Sequence, residues 1–247
     1  MARGAVSGKN VGMTIRAVAF DVHNALMRWP ADRLLPGETQ RWLAEWGIEI
    51  SYQAYEAARY SVLVLDAPKR KIEGWTDFLA LLFARMGVPL SVDLLTCLTA
   101  MHEARDHMEC YPDTLPALRA AKSAGLTTCT FTTLPPFMLG RRATEVRHLL
   151  DHYFDCSTVG LAKGDRRFYR RITEQLGVQP SEVMCVGDDP VGDCLIPGEL
   201  GWQPVLLDRH ARHAETRAGQ IATIRTLAEL EGVVRERNAR GADPVRQ

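Results

Sequence analysis

The chain has 247 residues, 46% hydrophobic and 24% charged, with Lys plus Arg and Asp plus Glu balanced at 30 each. No apolar run is long enough to cross a membrane, and the neutral balance offers nothing to a general polyanion binder, so membrane and nucleic acid are both set aside as partners. The length suits one large domain or a domain with an insert.

Six cysteines (Cys97, Cys110, Cys129, Cys156, Cys185 and Cys194) include no C-x-x-C pair, and several sit among apolar neighbours. They read as reduced, packed thiols of a cytoplasmic protein. Residues 1–12 are small and polar, without the apolar core of a signal peptide, and are expected to be a loose tail, as are 241–247.

Ala17 to Phe20 is a short continuous apolar run, as expected of a central strand in a parallel sheet covered on both faces. It stops at Asp21. Next come Asn24 and Trp29-Pro30, then four stretches with apolar residues at helical spacing: Gln40 to Trp46, Tyr52 to Leu65, Trp75 to Met86 and Val92 to His107. With no strand pattern among them, residues 31–108 are expected to form an inserted α-helical unit.

From Tyr111-Pro112-Asp113 strands and helices alternate. Thr114 to Ala124 predicts a helix closed by Gly125, Leu126 to Thr132 a strand, Gly140 to His152 a helix and Phe154 to Val159 a short strand. Asp165 to Leu176 predicts a helix ending at Gly177, Val183 to Val186 a strand, Pro204 to Leu207 another strand, and Leu227 to Arg235 a final helix. Helices between strands argue for a parallel sheet with right-handed crossovers. The expected fold is a doubly wound, Rossmann-like α/β core, residues 13–30 and 109–240, carrying the helical insert.

Candidate chemistry gathers where the strands end. In open α/β sheets ligands bind beyond the carboxyl ends of the strands, so Asp21 either caps the following turn or serves a reaction. The run Gly187-Asp188-Asp189-x-x-x-Asp193 repeats this placement. Two or three carboxylates in one crevice repel each other unless a cation joins them, and Mg²⁺ accepts one or two carboxylates plus a substrate phosphate. Helix capping by Asp189 and Asp193 does not account for Asp188, so metal is the favoured reading. Thr130, Thr132 and Thr133 end the strand after the insert; a hydroxyl there suits a phosphate oxygen, although threonine is also a good strand residue. Lys163, in the loop after Val159-Gly160-Leu161-Ala162, either balances the carboxylates or is merely solvated.

Taken in order, strand-Asp21, helical insert, strand-Thr132, loop-Lys163 and strand-Gly187-Asp188 to Asp193 resemble the haloacid dehalogenase-like hydrolase superfamily, subfamily I with a C1-type helical cap. The resemblance runs from Ile15 to Val234. It implies that Asp21 is a nucleophile forming an aspartyl-phosphate. It further implies Mg²⁺ held by Asp21, by the carbonyl of His23 and by Asp188, with Asp189 or Asp193 in support. Thr132 and Lys163 would bind the transferring group, the substrate would be a small organic phosphate, and the cap would close as a lid.

The departure lies in Asp21-Val22-His23-Asn24-Ala25, where phosphatases of the family have Asp-x-Asp-Gly-Thr. His23 replaces the acid/base Asp, and an imidazole can exchange protons near neutrality. Asn24 tolerates the left-handed backbone that glycine would supply. Relatives altered here include dehalogenases and phosphonatases. The latter need a cap lysine, for which Lys69 and Lys71 are candidates, and a degenerate binding or regulatory protein is a further alternative. Trp29 and Trp75 are candidates for substrate contact. Substrate identity and oligomeric state are not written in the sequence.

Overall fold

The computed structural model describes residues 14–34, 37–140, 143–213 and 221–242; the expected tail 1–12 lies outside them. Five parallel strands form the central sheet in the order β4-β1-β5-β6-β7: β1 Ala17–Phe20, β4 Thr127–Thr130, β5 Val183–Gly187, β6 Gln203–Leu207 and β7 Ala222–Ile224. Every residue of β1 is buried, which explains why its sequence is continuously apolar rather than alternating. Successive residues serve opposite faces: Val18 and Phe20 pack into one apolar cluster, Ala19 into the other.

Helices cover both faces. α5 Thr114–Ser123, α6 Thr144–Leu149, α8 Arg166–Leu176 and α10 Leu230–Ala242 are the longer ones, with short turns α7 Cys156–Val159 and α9 Ile196–Glu199 between. α8 begins at Asp165, whose carboxylate accepts from Arg167 N, and ends at Gly177 in the left-handed conformation.

Between β1 and β4 the chain leaves the sheet. A two-residue strand, β2 Met27–Arg28, pairs antiparallel with β3 Glu109–Cys110, and this ribbon forms both linkers to the helical cap. The cap holds α1 Glu38–Glu45, α2 Tyr52–Ser61, a π-helical turn Val62–Asp66, α3 Trp75–Arg85 and α4 Val92–Arg105. Ser51 and Ser91 cap α2 and α4, accepting from Ala54 N and Leu94 N. Leu43, Leu79, Leu82 and Leu98 of the cap belong to the same apolar cluster as Val18 and Phe20, so one continuous core joins cap and sheet.

Some local expectations are corrected. Phe154 to Val159 is not a strand. Only isolated bridges, Cys129 to His152 and Thr132 to Asp155, touch the sheet there, and Cys156–Val159 is helical. Its β-favouring residues are overridden by a capping box: Asp155 Oδ1 accepts from Ser157 N and Thr158 N, and Asp155 N donates to Thr158 Oγ1. The helix expected over 140–152 is confined to Thr144–Leu149 among the described residues. The final helix reaches Ala242, into the segment read as a tail. All six cysteines are free, and among the described residues no helix is long and apolar enough to cross a membrane.

Candidate active site

Sheet register brings the acids together. Phe20 sits beside Val186 and Thr130 across the sheet, and Asp21 N donates to Val186 O at 2.9 Å, so the residues following β1 and β5 emerge side by side. Asp21, Asp188 and Asp193 each place a carboxylate oxygen within 4.8 Å of the others. Lys163 enters from the loop before α8. Its Nζ lies 2.6 Å from Asp21 Oδ1 and 2.7 Å from Asp193 Oδ1, above the Phe131 ring at 4.5 Å.

Three clustered carboxylates, two of them buried, share a single ammonium that pairs with Asp21 and Asp193, which leaves an excess of negative charge. Burial raises the Asp21 pKa against the pull of Lys163, with Asp188 adding to the rise. Burial likewise pushes Asp193 up to about 6. Asp188 is raised by burial and partly relieved by its hydrogen bond from Asn24. Burial disfavours the Lys163 ammonium, yet Asp193 and Asp21 outweigh it and hold that pKa above the lysine range. A divalent cation would relieve this excess, and hard carboxylate oxygens are the donors Mg²⁺ prefers, so the donor set fits.

Glycine is obligatory at one position: a Cβ on Gly187 would run into the Asp193 carboxylate. Asp189 stands apart from the three acids. Its Oδ1 accepts from Val191 N at 2.9 Å, capping a π-helical turn, Pro190–Leu195, while its own N–H donates to Asp193 Oδ2.

The remaining candidates separate by place. Thr132 and Thr133 line the crevice over Asp21, and Thr132 Oγ1 accepts from Leu134 N. Thr130 is buried within β4, exchanging hydrogen bonds with the Phe154 backbone, and does not reach the crevice. His23 lines the crevice with its ring 6.3 Å from that of Trp29. Burial lowers the His23 pKa, with Asp188 opposing. Neither Lys69 nor Lys71 lines the crevice, and Lys71 pairs with Glu73 at the surface. Trp75 instead stacks on His102 in a second cavity under the cap.

Five further residues at the site carry little sequence signal. Asn24, at φ 60°, donates from Nδ2 to Asp188 Oδ2 at 3.0 Å; its left-handed backbone was legible, its side-chain partner was not. Arg209 donates to the carbonyls of Asn24 and Ala25, grips Asp113 with two bonds of 2.9 Å and lies over the Tyr111 ring at 3.9 Å. It thereby ties the loop after Asp21 to the start of α5. From the cap, Arg59, Tyr60 and Leu63 reach the crevice.

Residues 15–196 match the family of haloacid dehalogenase-like hydrolases, and the chain belongs to that family. It is 33% identical over 87 residues to enolase-phosphatase E1 of Nocardia farcinica, covering 33% of this chain and 37% of that protein. To (S)-2-haloacid dehalogenase 1 of a Pseudomonas species it is 31% identical over 136 residues, covering 54% of this chain and 58% of the relative. The chain therefore spans between about a third and three fifths of the lengths of these curated relatives. Among solved structures, a 2-haloacid dehalogenase from Pseudomonas syringae shares the fold with a TM-score of 0.67 at 16% identity, over 90% of this chain and 99% of that one. The chain's fold, a parallel sheet covered by helices with a helical cap, is the one that family has.

Proposed function

We propose that the protein is a Mg²⁺-dependent phosphatase acting on a small organic phosphate through Asp21. The observation that carries the reading is the group Asp21, Asp188 and Asp193, three acids within 4.8 Å of one another, two of them paired with one lysine. Asp21, Asp188 and the His23 carbonyl would hold the ion, with Asp193 in support. When bound, the ion screens the repulsion between the nucleophile and the phosphate.

Asp21 attacks phosphorus, and the ester bond to the alcohol breaks. His23 supplies the proton that the departing oxygen needs. In the second step water attacks the aspartyl-phosphate, His23 takes its proton, and inorganic phosphate leaves with Asp21 restored. Lys163 and Thr132 hold the transferring oxygens. This chemistry needs only a small-molecule partner, and a cytoplasmic setting suits the six free thiols.

Carbon–halogen hydrolysis is the second reading, favoured by His23 where a carboxylic acid would stand. Halide departs as an anion and needs no donated proton, so a site without the acidic Asp loses nothing. Asp21 would then be alkylated, and water would hydrolyse the ester.

Phosphate and halide release measured side by side, with and without Mg²⁺, separates the two. We expect Mg²⁺-dependent phosphate release that Asp21→Asn lowers by at least about 10⁴-fold. Metal-independent halide release would replace the first reading with the second. His23→Asn should cost about 10²–10⁴ in turnover on alkyl esters. A gain in activity on His23→Asp would instead mark the natural site as degenerate.

A further inference from the structure

The crevice over Asp21 has a polar floor and an apolar mouth. π-helical turns are rare and gather at functional sites. Two of them border this crevice, Val62–Asp66 in the cap and Pro190–Leu195 in the core. The first closes with Ala67 N donating to Val62 O, five residues back. Leu63 of one turn and Val191 of the other line the opening, joined by Tyr60 just before the first and Ile196 just after the second. Tyr60 is 60% exposed and Val191 53%. Tyr60 from the cap and Val191 from the core thus stand in water at one crevice, backed by the buried Leu63 and the half-buried Ile196, a surface whose burial would favour binding.

Charge narrows the ligand further. Among the described residues, the Lys and Arg side chains lining the crevice are Lys163, held by Asp21 and Asp193, and Arg59. Arg59 is occupied as well: its Nε and Nη2 donate to the Glu56 carboxylate at 2.8 to 3.1 Å. Both charges are thus already met by carboxylates, which leaves no unpaired cation among the described crevice residues to draw in a second anionic group.

We propose that the substrate carries a single phosphate on an apolar alcohol, an aryl or short unbranched alkyl monoester. Its hydrocarbon part lies between Tyr60 and Leu63 of the cap and Val191 and Ile196 of the core. This assignment rests on the phosphatase reading and adds the class of leaving group to it. The polar floor takes the phosphate; the mouth selects what is attached.

The test uses the Mg²⁺-loaded full chain and n-alkyl phosphates from methyl to pentyl. kcat/KM should climb about threefold per methylene, so that butyl exceeds methyl by about 30-fold. In parallel, the matching alkylphosphonates are titrated into Asp21→Asn and followed by tryptophan fluorescence, Trp29 being in the crevice wall. Their affinities should climb with the same slope. Tyr60→Ser and Val191→Ser should each flatten both slopes below about twofold per methylene. A flat series, or a steep one that neither variant moves, overturns the proposal. The two readouts separate its failure from that of the phosphatase reading: hydrolysis with flat slopes removes only the apolar clamp, whereas rising phosphonate affinity without ester turnover removes only the hydrolytic step.

Discussion

The floor of the crevice and its cap wall are built on opposite plans. In the floor, charged groups are shared among the acids of the site. Lys163 touches Asp21 and Asp193 together, Asp193 also accepts from Asp189 N, and Asn24 donates to Asp188. In the cap, charges close on one another and stay out of the crevice chemistry. Arg59 pairs with Glu56, Arg85 with Asp66, and Arg105 with Glu38, leaving Tyr60 and Leu63 to meet a ligand. On the proposed reading, reactivity belongs to the floor, and selectivity to an apolar mouth that Tyr60 and Leu63 of the insert share with Val191 and Ile196 of the core. The contrast also says where a substitution should be felt: globally in the floor, locally in the cap.

The sharpest way to break this contrast is Lys163→Met. Removing the ammonium leaves Asp21 and Asp193 buried with no cation between them. Loss of one partner from a buried ion pair costs about 3–5 kcal/mol, and a lost charge-stabilising contact about 10²–10³ in turnover. Denaturant unfolding and phosphate release would read the two effects. Mg²⁺ should raise the variant's Tm by more than that of the wild type, because the uncompensated charge it joins is larger. An equal or smaller rise would mean that the acids do not hold the ion.

Arg209→Met sharpens the comparison at the linker, where floor meets cap. The guanidinium holds two backbone carbonyls of the loop that presents Asn24 to Asp188, and Asp113 holds the guanidinium while also accepting from Leu227 N. We expect a stability loss of about 2–4 kcal/mol and about tenfold in kcat/KM. Arg209→Lys should recover less than half of either, since an ammonium cannot grip a carboxylate and two carbonyls with one rigid fork. Full recovery by lysine would reduce Arg209 to a simple charge.

These two residues show what was legible in advance. Asp21 and Asp188 were readable because each ends an apolar run, and parallel neighbours in register must emerge together. The cap helices announced themselves by periodicity, although the change from α to π geometry at Val62 did not. Lys163 was visible only through its order relative to the acids. Arg209 could not be read: its partners at positions 24, 25 and 113 lie far away in sequence, and a lone arginine after a strand has no pattern. Strands of two or three residues, β2, β3 and β7, are too short for alternation to show. Phe154 to Val159 reads as a strand through Phe154, Thr158 and Val159, but the Asp155 cap outweighs that composition and turns Cys156–Val159 into a helix.

The smallest expected effect lies wholly inside the cap. Hydrogen bonds from Arg85 hold the Asp66 carboxyl below its ordinary value of 3.8, so Asp66 titrates lower folded than unfolded. The pair's contribution is therefore fully present above the unfolded pKa and is lost as pH falls through the depressed folded one. Asp66→Asn should lower Tm by no more than about 2–4 °C at pH 7. Wild type and variant should converge once the pH has fallen below the depressed folded pKa, where the carboxylate is protonated in both states. Turnover at the Asp21 floor should not change, because this pair lies outside the crevice lining. A drop in kcat for Asp66→Asn would show that cap charges do feed the reaction, and the division between a reactive floor and an apolar mouth would have to be redrawn.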